Sequence, residues 1–193
     1  MTAGDMTVDE VLDFWFGQPR ADQPRPEWFR KDAAFDLGIR QRFGATLQAA
    51  LAGGLRDWDA RPAGALARIL VLDQFTRNAF RDTPGAFAGD ALALAAAQAL
   101  VAGGGDVELA PLQRWFAYMP FEHAEDLPAQ RQSLQLFAEL AAQHTALADA
   151  QRYAVKHFEI VERFGRYPHR NSILGRISSE AELAFLSTPG SGF

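Results

Sequence analysis

Apolar side chains recur at three- and four-residue intervals along nearly the whole chain, the spacing that lines one face of an α-helix. No stretch alternates apolar and β-branched residues between turn signals, so a sheet has nothing to build from and the expected class is all-α. Thr7 and Glu10 have the spacing of a capping box. They should open a first helix that buries Val8, Val11, Leu12, Trp15 and Phe16 and ends near Gly17. Residues 18–26 hold three prolines and should run extended, returning Trp28 and Phe29 to the core. Phe35, Ile39, Phe43, Leu47 and Leu51 mark a second helix stopped by Gly53-Gly54, and Pro62 can start a third that buries Leu66, Ile69, Leu70, Leu72 and Phe75.

An alanine-rich run over 86–102 predicts the fourth helix, ended by Gly103-Gly104-Gly105. A fifth should start at Pro111 and be interrupted at Pro120, which lacks an amide proton. Pro128 fits the first turn of a sixth. Residues 148–164 form a seventh with Tyr153, Phe158, Val161 and Phe164 inward, stopping at Gly165. Ser179 and Glu182 repeat the capping-box spacing ahead of a short eighth with Leu183, Phe185 and Leu186. The expectation is therefore about eight helices in a single domain spanning 1–193, ordered from Thr7 to Ser187 with a frayed tail after it. No repeat period or low-complexity linker divides the chain.

Composition limits the chemistry. The chain has no cysteine, which removes disulfides, thiol catalysis and thiolate zinc sites and suits the cytoplasm. Its start carries acidic residues and no basic one, unlike an export signal. The longest apolar stretch, 91–102, is 12 residues, short of the roughly 20 that cross a bilayer, so no membrane partner is expected. A net charge of −5 without a basic block argues against nucleic acid. The glycines at 103–105 follow a helix, whereas phosphate cradles precede one, and no nucleophile elbow is present, so no cofactor is expected. The four tryptophans should be core anchors, and His144 and His157 surface or half-buried residues.

Three stretches place polar groups where burial is costly. In Leu70-Val-Leu-Asp-Gln-Phe-Thr-Arg-Asn78, Asp73 and Arg77 are four apart and can pair on one helix face beside Asn78. Pro120-Phe-Glu-His-Ala-Glu-Asp126 gathers Glu122, His123, Glu125 and Asp126 within about a turn, where a carboxylate can orient a histidine for proton transfer. The spacing matches no metal signature, so no metal is expected. Arg163-Phe-Gly-Arg-Tyr-Pro-His-Arg-Asn171 turns at Gly165 and Pro168 and collects Arg163, Arg166, His169, Arg170 and Asn171. Arginine forks suit carboxylates or phosphates. Alternatively these cations neutralise the acids of the second stretch within the fold.

With Val11-Leu-Asp-Phe-Trp-Phe16 and Gly89-Asp90, these stretches resemble a family of uncharacterised, mainly bacterial proteins grouped by shape with tetratricopeptide-like folds. The likeness spans residues 11–186. It implies a right-handed array of antiparallel helix pairs, usually a scaffold for a peptide or protein partner, and no established reaction. Two functions follow as expectations. One is binding of an anionic peptide, a small acidic ligand or a protein partner through Asp73, Arg77, Asn78, Asp126, Arg166, His169, Arg170 and Asn171. The other is a hydrolase-type enzyme with His123 or His169 as general base beside Glu122 or Asp126, with a metal-assisted version as a variant. Oligomeric state is left open.

Overall fold

The computed structural model describes residues 6–21 and 23–191, and the described residues form helices, turns and loops with no strand. The chain is all-α. Its helices are α1 (Val8–Phe16), α2 (Ala33–Leu51), α3 (Pro62–Leu70, carried on through a π turn Val71–Phe75 and a last α turn Thr76–Ala79), α4 (Asp90–Ala102), α5 (Pro111–His123), α6 (Leu127–Gln143), α7 (Ala148–Phe164) and α8 (Glu180–Leu186). They fall into two compact units. The first runs to Arg81 and resumes over Gly85–Pro120; the second comprises Asp82–Pro84 and the chain from Phe121 onward.

The first unit is built on aromatic packing. Trp15 and Phe16 of α1, with Trp28, meet the Phe116 ring at centroid distances of 5.4, 5.7 and 4.7 Å, and Phe43 meets Phe75 at 4.9 Å. Aromatic pairs in these geometries add about 0.5–1.5 kcal/mol each beyond the area they bury. The capping box at Thr7 and Glu10 is formed. At the other end of α1, Arg25 Nη1 donates to the carbonyls of Phe14 and Trp15 at 3.1 and 2.7 Å, and Trp28 Nε1 donates to Trp15 O at 2.9 Å, satisfying acceptors that a helix terminus leaves open. Trp28 is thus a core residue as expected. Phe29 is not: it is 55% exposed and stacks on Trp115, because the short 3-10 turn Pro26–Trp28 can aim only one of two consecutive side chains inward.

Three further departures have local causes. The fourth helix begins at Asp90 rather than 86, since Pro84–Phe87 form a 3-10 turn and Gly89 packs against the backbone of α3. Within the 19 residues Pro84–Ala102 a window of 18 reaches a mean hydropathy of 1.5, long and apolar enough to qualify as a spanning candidate and a longer apolar stretch than 91–102. Only 13 of them are α-helical, about 20 Å of helix against the roughly 30 Å of a bilayer core, and Ala93, Ala96, Ala97 and Leu100 are buried within the protein. Pro120 lies inside α5 instead of ending it: the turn continues to His123, with Phe121 and Glu122 buried beyond the proline, so the missing hydrogen bond is outweighed by packing.

The second unit centres on the α6–α7 hairpin, joined by a four-residue connection through the 3-10 turn Thr145–Leu147. Asp126 caps α6, and α7 stops at Gly165 with φ +70°, a backbone state that favours glycine. α7 presents Ala150, Ala154, His157, Ile160 and Val161 to the interior. Tyr153, expected inward, is 51% exposed, because the stripe repeats at spacings of four, three and four and leaves position 153 outside it. Ser179 and Glu182 complete the second capping box. Of the tail expected after Ser187, residues 188–191 carry turn hydrogen bonds from Thr188 N to Phe185 O and Ser191 N to Thr188 O, and Gly192 and Phe193 lie outside the described residues.

Candidate functional site

In the first unit the polar residues gather around the π turn. A π turn widens the helix by one residue, a distortion that recurs at functional sites, and here it swings Asp73 and Gln74 into the interior. Arg77 Nη1 lies 3.1 Å from Asp73 Oδ1, the expected pair four residues apart, but the guanidinium also forks onto Asp90 at 2.8 and 3.2 Å. Gly89 explains that second partner. A Cβ there would stand 2.0 Å from Leu72 O, so only glycine lets the chain approach closely enough to bring Asp90 to Arg77. Asn78 donates to Asp36 Oδ1 at 2.7 Å, and Arg81 forks onto the same carboxylate at 2.7 and 2.9 Å. Burial raises the Asp36 pKa, but Arg81 and Asn78 outweigh it and hold the carboxyl below its ordinary value. Every acid of this network faces an arginine.

The second unit brings stretches 120–126 and 163–171 together, with α7 between them. Glu122 and His123 at the end of α5, Gln130 of α6, His157 of α7 and Tyr167 after it are all buried. Gln130 Nε2 donates to Glu122 O at 2.7 Å and reaches Tyr167 Oη at 2.7 Å, and the Tyr167 hydroxyl donates to Glu122 O. His157 Nδ1 lies 2.9 Å from Tyr153 O and 3.4 Å from Glu122 Oε1. A carbonyl can only accept, so Nδ1 carries the proton and Nε2 is the ring atom that can take one up. The His157 ring stands 6.2 Å from that of His123 and 5.5 Å from that of Tyr167, which is in turn 5.5 Å from His169. Arg170 lays its guanidinium over the Tyr167 ring at 4.4 Å.

Burial dominates the electrostatics here. It pushes His157 down to about 3, with the positive fields of His123 and Arg170 adding to the effect. His169, half-buried, is pushed down to about 4 by burial and by Arg170. Both imidazoles are therefore neutral at pH 7. Burial raises the Tyr167 hydroxyl far above the phenol range, so it remains a donor. Two fully buried atoms of α6, Gln130 Oε1 and Ser133 Oγ, have no hydrogen-bond partner among the described residues. Such atoms cost about 1–3 kcal/mol each when left dry.

The residues expected to form one site divide between the units. Asp73, Arg77 and Asn78 belong to the first. Glu122, His123, His169 and Arg170 line the core of the second. Asp126 is turned to another task, accepting from Ala129 N at 2.8 Å as the cap of α6. Arg166 forks onto Glu182 at 2.6 and 2.8 Å, and Asn171 accepts from Arg176 at 2.9 Å and donates to Ser178 Oγ at 3.0 Å. Glu125, expected beside the histidine, is gripped by Arg176 and accepts from Tyr167 N at 2.8 Å. Among the described residues no three of His, Asp and Glu meet in a metal-holding group.

His157, expected at the surface or half-buried, is buried, 6% exposed. The signal is present in the sequence: Ala150, Ala154, His157 and Val161 fall on one stripe, and helical register outranks residue type. Gln130 and Tyr167 carry no comparable signal, since the bonds that bring Tyr167 to Gln130 and to Glu122 O span 37 and 45 residues.

These features define an all-α protein with a buried histidine–carboxylate core in its second unit. The chain belongs to the family described as bacterial protein of unknown function (DUF924), whose profile matches residues 11–190. It is similar to a protein of unknown function from Agrobacterium tumefaciens whose structure is solved: the two are 38% identical, the match covers 93% of this chain and 96% of that one, and the TM-score is 0.83. No curated protein matches the chain.

Proposed function

We propose that the second unit binds a compact anion, such as a small organic acid or the acidic end of a peptide or protein partner, beside His169 and Arg170. The observation that carries this reading is the gathering of stretches 120–126 and 163–171 with His157 into one polar core. An apolar core would be the cheaper scaffold. His169 is the core's half-buried member, and Arg170, fixed over Tyr167, supplies a planar donor fork next to it. An incoming carboxylate would favour protonation of His169, so binding should take up a proton below pH 6.

Citrate and phosphate at millimolar concentration are the probes. Either should raise the melting temperature and shift the His169 ring resonances, and Arg170→Gln should abolish both effects while Arg77→Gln in the first unit leaves them in place. Absence of any shift with the unaltered protein overturns the reading.

One observation favours an enzymatic alternative of the hydrolase type. Glu122 and Tyr153 O hold His157 with Nδ1 protonated and Nε2 as the base, the orientation that a general base requires. His157→Gln should then remove turnover of simple ester or phosphoester substrates. Turnover that survives the substitution, or that is absent from the unaltered protein, excludes this role.

A further inference from the structure

Helices α6 and α7 bury apolar stripes, whereas the one buried residue of α8 is a carboxylate, Glu182. Leu183 is 57% exposed and Ile177, just before the helix, 91%. What fastens α8 and the residues just before it is mainly polar: the Arg166 fork on Glu182, backed by Arg166 Nη2 donating to Ile177 O at 2.9 Å and by Asn171 Nδ2 donating to Ser178 Oγ at 3.0 Å. Apolar attachment comes from Phe185, which meets Phe164 at 5.2 Å and packs on the small cluster of Ile160, Val161 and Tyr167. An open hollow of ≈ 350 Å³ separates the end of α7 from the first turn of α8, lined by Arg163, Phe164, Arg166, Ser179, Ala181 and Glu182. The chain before Ile177 is held quite differently. Arg176 forks onto Glu125 and also donates to Asn171 Oδ1 and Tyr167 O, so residues up to 176 are tied to the core.

We propose that residues 177–191 form an ionically fastened strap that leaves the end of α7 as a unit, pivoting after Arg176, and so uncovers the Tyr167 side of the histidine–carboxylate core. Few buried apolar contacts and a partly exposed ion pair place this segment at the low end of local stability. Salt weakens such a pair because the Debye length falls from about 10 Å at 0.1 M to about 3 Å at 1 M. That opening exposes a ligand site rests on the anion-binding reading above; the opening itself does not.

Amide hydrogen exchange on the full chain decides it. The amides of Leu183 and Ser187, which donate to Ser179 O and Leu183 O, should exchange at least about 10-fold faster than those of α6 and α7. Raising NaCl from about 0.05 to about 0.5 M should speed them about 3-fold further and leave α6 and α7 unchanged. Glu182→Gln keeps a side chain that can serve the capping box but discharges the Arg166 fork. It should show the fast rate at low salt with no salt response, and Arg166→Gln should match it; unchanged α6 and α7 rates certify that both variants fold. Exchange of α8 in step with α6 and α7, or a rate indifferent to salt, overturns the strap. In Glu182→Gln citrate affinity should rise about 3-fold, and an unchanged affinity overturns the covering role. Citrate that binds neither protein removes the ligand reading, while the exchange pattern still decides the strap.

Discussion

The network at the π turn of the first unit and the one around His157 in the second bury polar groups by opposite means. In the first, the buried Asp73 and the half-buried Asp90 face Arg77 and the buried Asp36 faces Arg81, with Asn78 filling a remaining acceptor. In the second, burial keeps His157 and the half-buried His169 neutral beside Glu122 and Tyr167. Guanidinium–carboxylate pairs keep their charges from about pH 5 upward, so the first network is indifferent to the range where histidine titrates. The second holds His157 and His169 neutral well below that range, so acid acts on its stability through the unfolded chain, which takes up the protons. The contrast separates a network that fixes backbone geometry from one whose protonation can be altered by a ligand or by acid, and it is why the candidate site is placed in the second unit.

The largest expected effect probes the geometric role of the first network. Gly89→Ala would set a methyl 2.0 Å from Leu72 O and 2.8 Å from its carbonyl carbon. Backbone must move, and the loss should be about 4 kcal/mol or more, measured by denaturant unfolding. A loss below about 1 kcal/mol would show that the Gly89–Leu72 approach is not what positions Asp90.

Acid should come next, and it should act on the second unit. The unfolded chain binds protons at His157 with an ordinary pKa of 6.5, whereas the folded chain holds it neutral down to about 3. The unfolded state therefore takes up more protons, and the stabilising contribution, complete above pH 6.5, is lost as pH falls toward 3. His169, held down to about 4, acts with the same sign. The limiting slope is about 1.4 kcal/mol per pH unit for each group, so lowering pH from 7 to 5 should cost about 2–4 kcal/mol. Hydrogen exchange followed against pH should show α6 and α7 losing protection while α2 and α3 keep theirs. His157→Gln should roughly halve the slope. Equal losses in α2 and α3 would break the contrast between the units.

The smallest effect sharpens the comparison from the other side. Asp36→Asn discharges one member of the first network but retains an acceptor for Asn78 and Arg81. It should cost about 1–3 kcal/mol, with no change in the dependence of α2 and α3 protection on pH between 5 and 7. A new pH dependence there would mean that the first network also titrates.

Much of the helical framework is legible in the order of the residues alone. Both capping boxes are formed, and α7 spans 148–164 and stops at Gly165, because caps and left-handed stops are decided by residues a turn apart. The three polar stretches are legible as well, as residues too costly to place without a purpose. Their partners are not. The spacing of Arg77 pairs it with Asp73, which it meets, but its other partner, Asp90, is 13 residues on. Glu125, expected beside a histidine, meets Arg176, 51 residues away.

The sequence by itself determined an all-α chain, the positions of most of its helix ends and the inventory of groups that would be expensive to bury, because each depends on interactions within a few residues. Tertiary structure decided the π turn at 71–75, the continuation of α5 through Pro120 and the burial of His157, and it assigned each charge its partner. Those outcomes depend on which faces pack together. Buried polar groups accept whichever partner the packing brings within about 3 Å, and no local rule specifies that partner in advance.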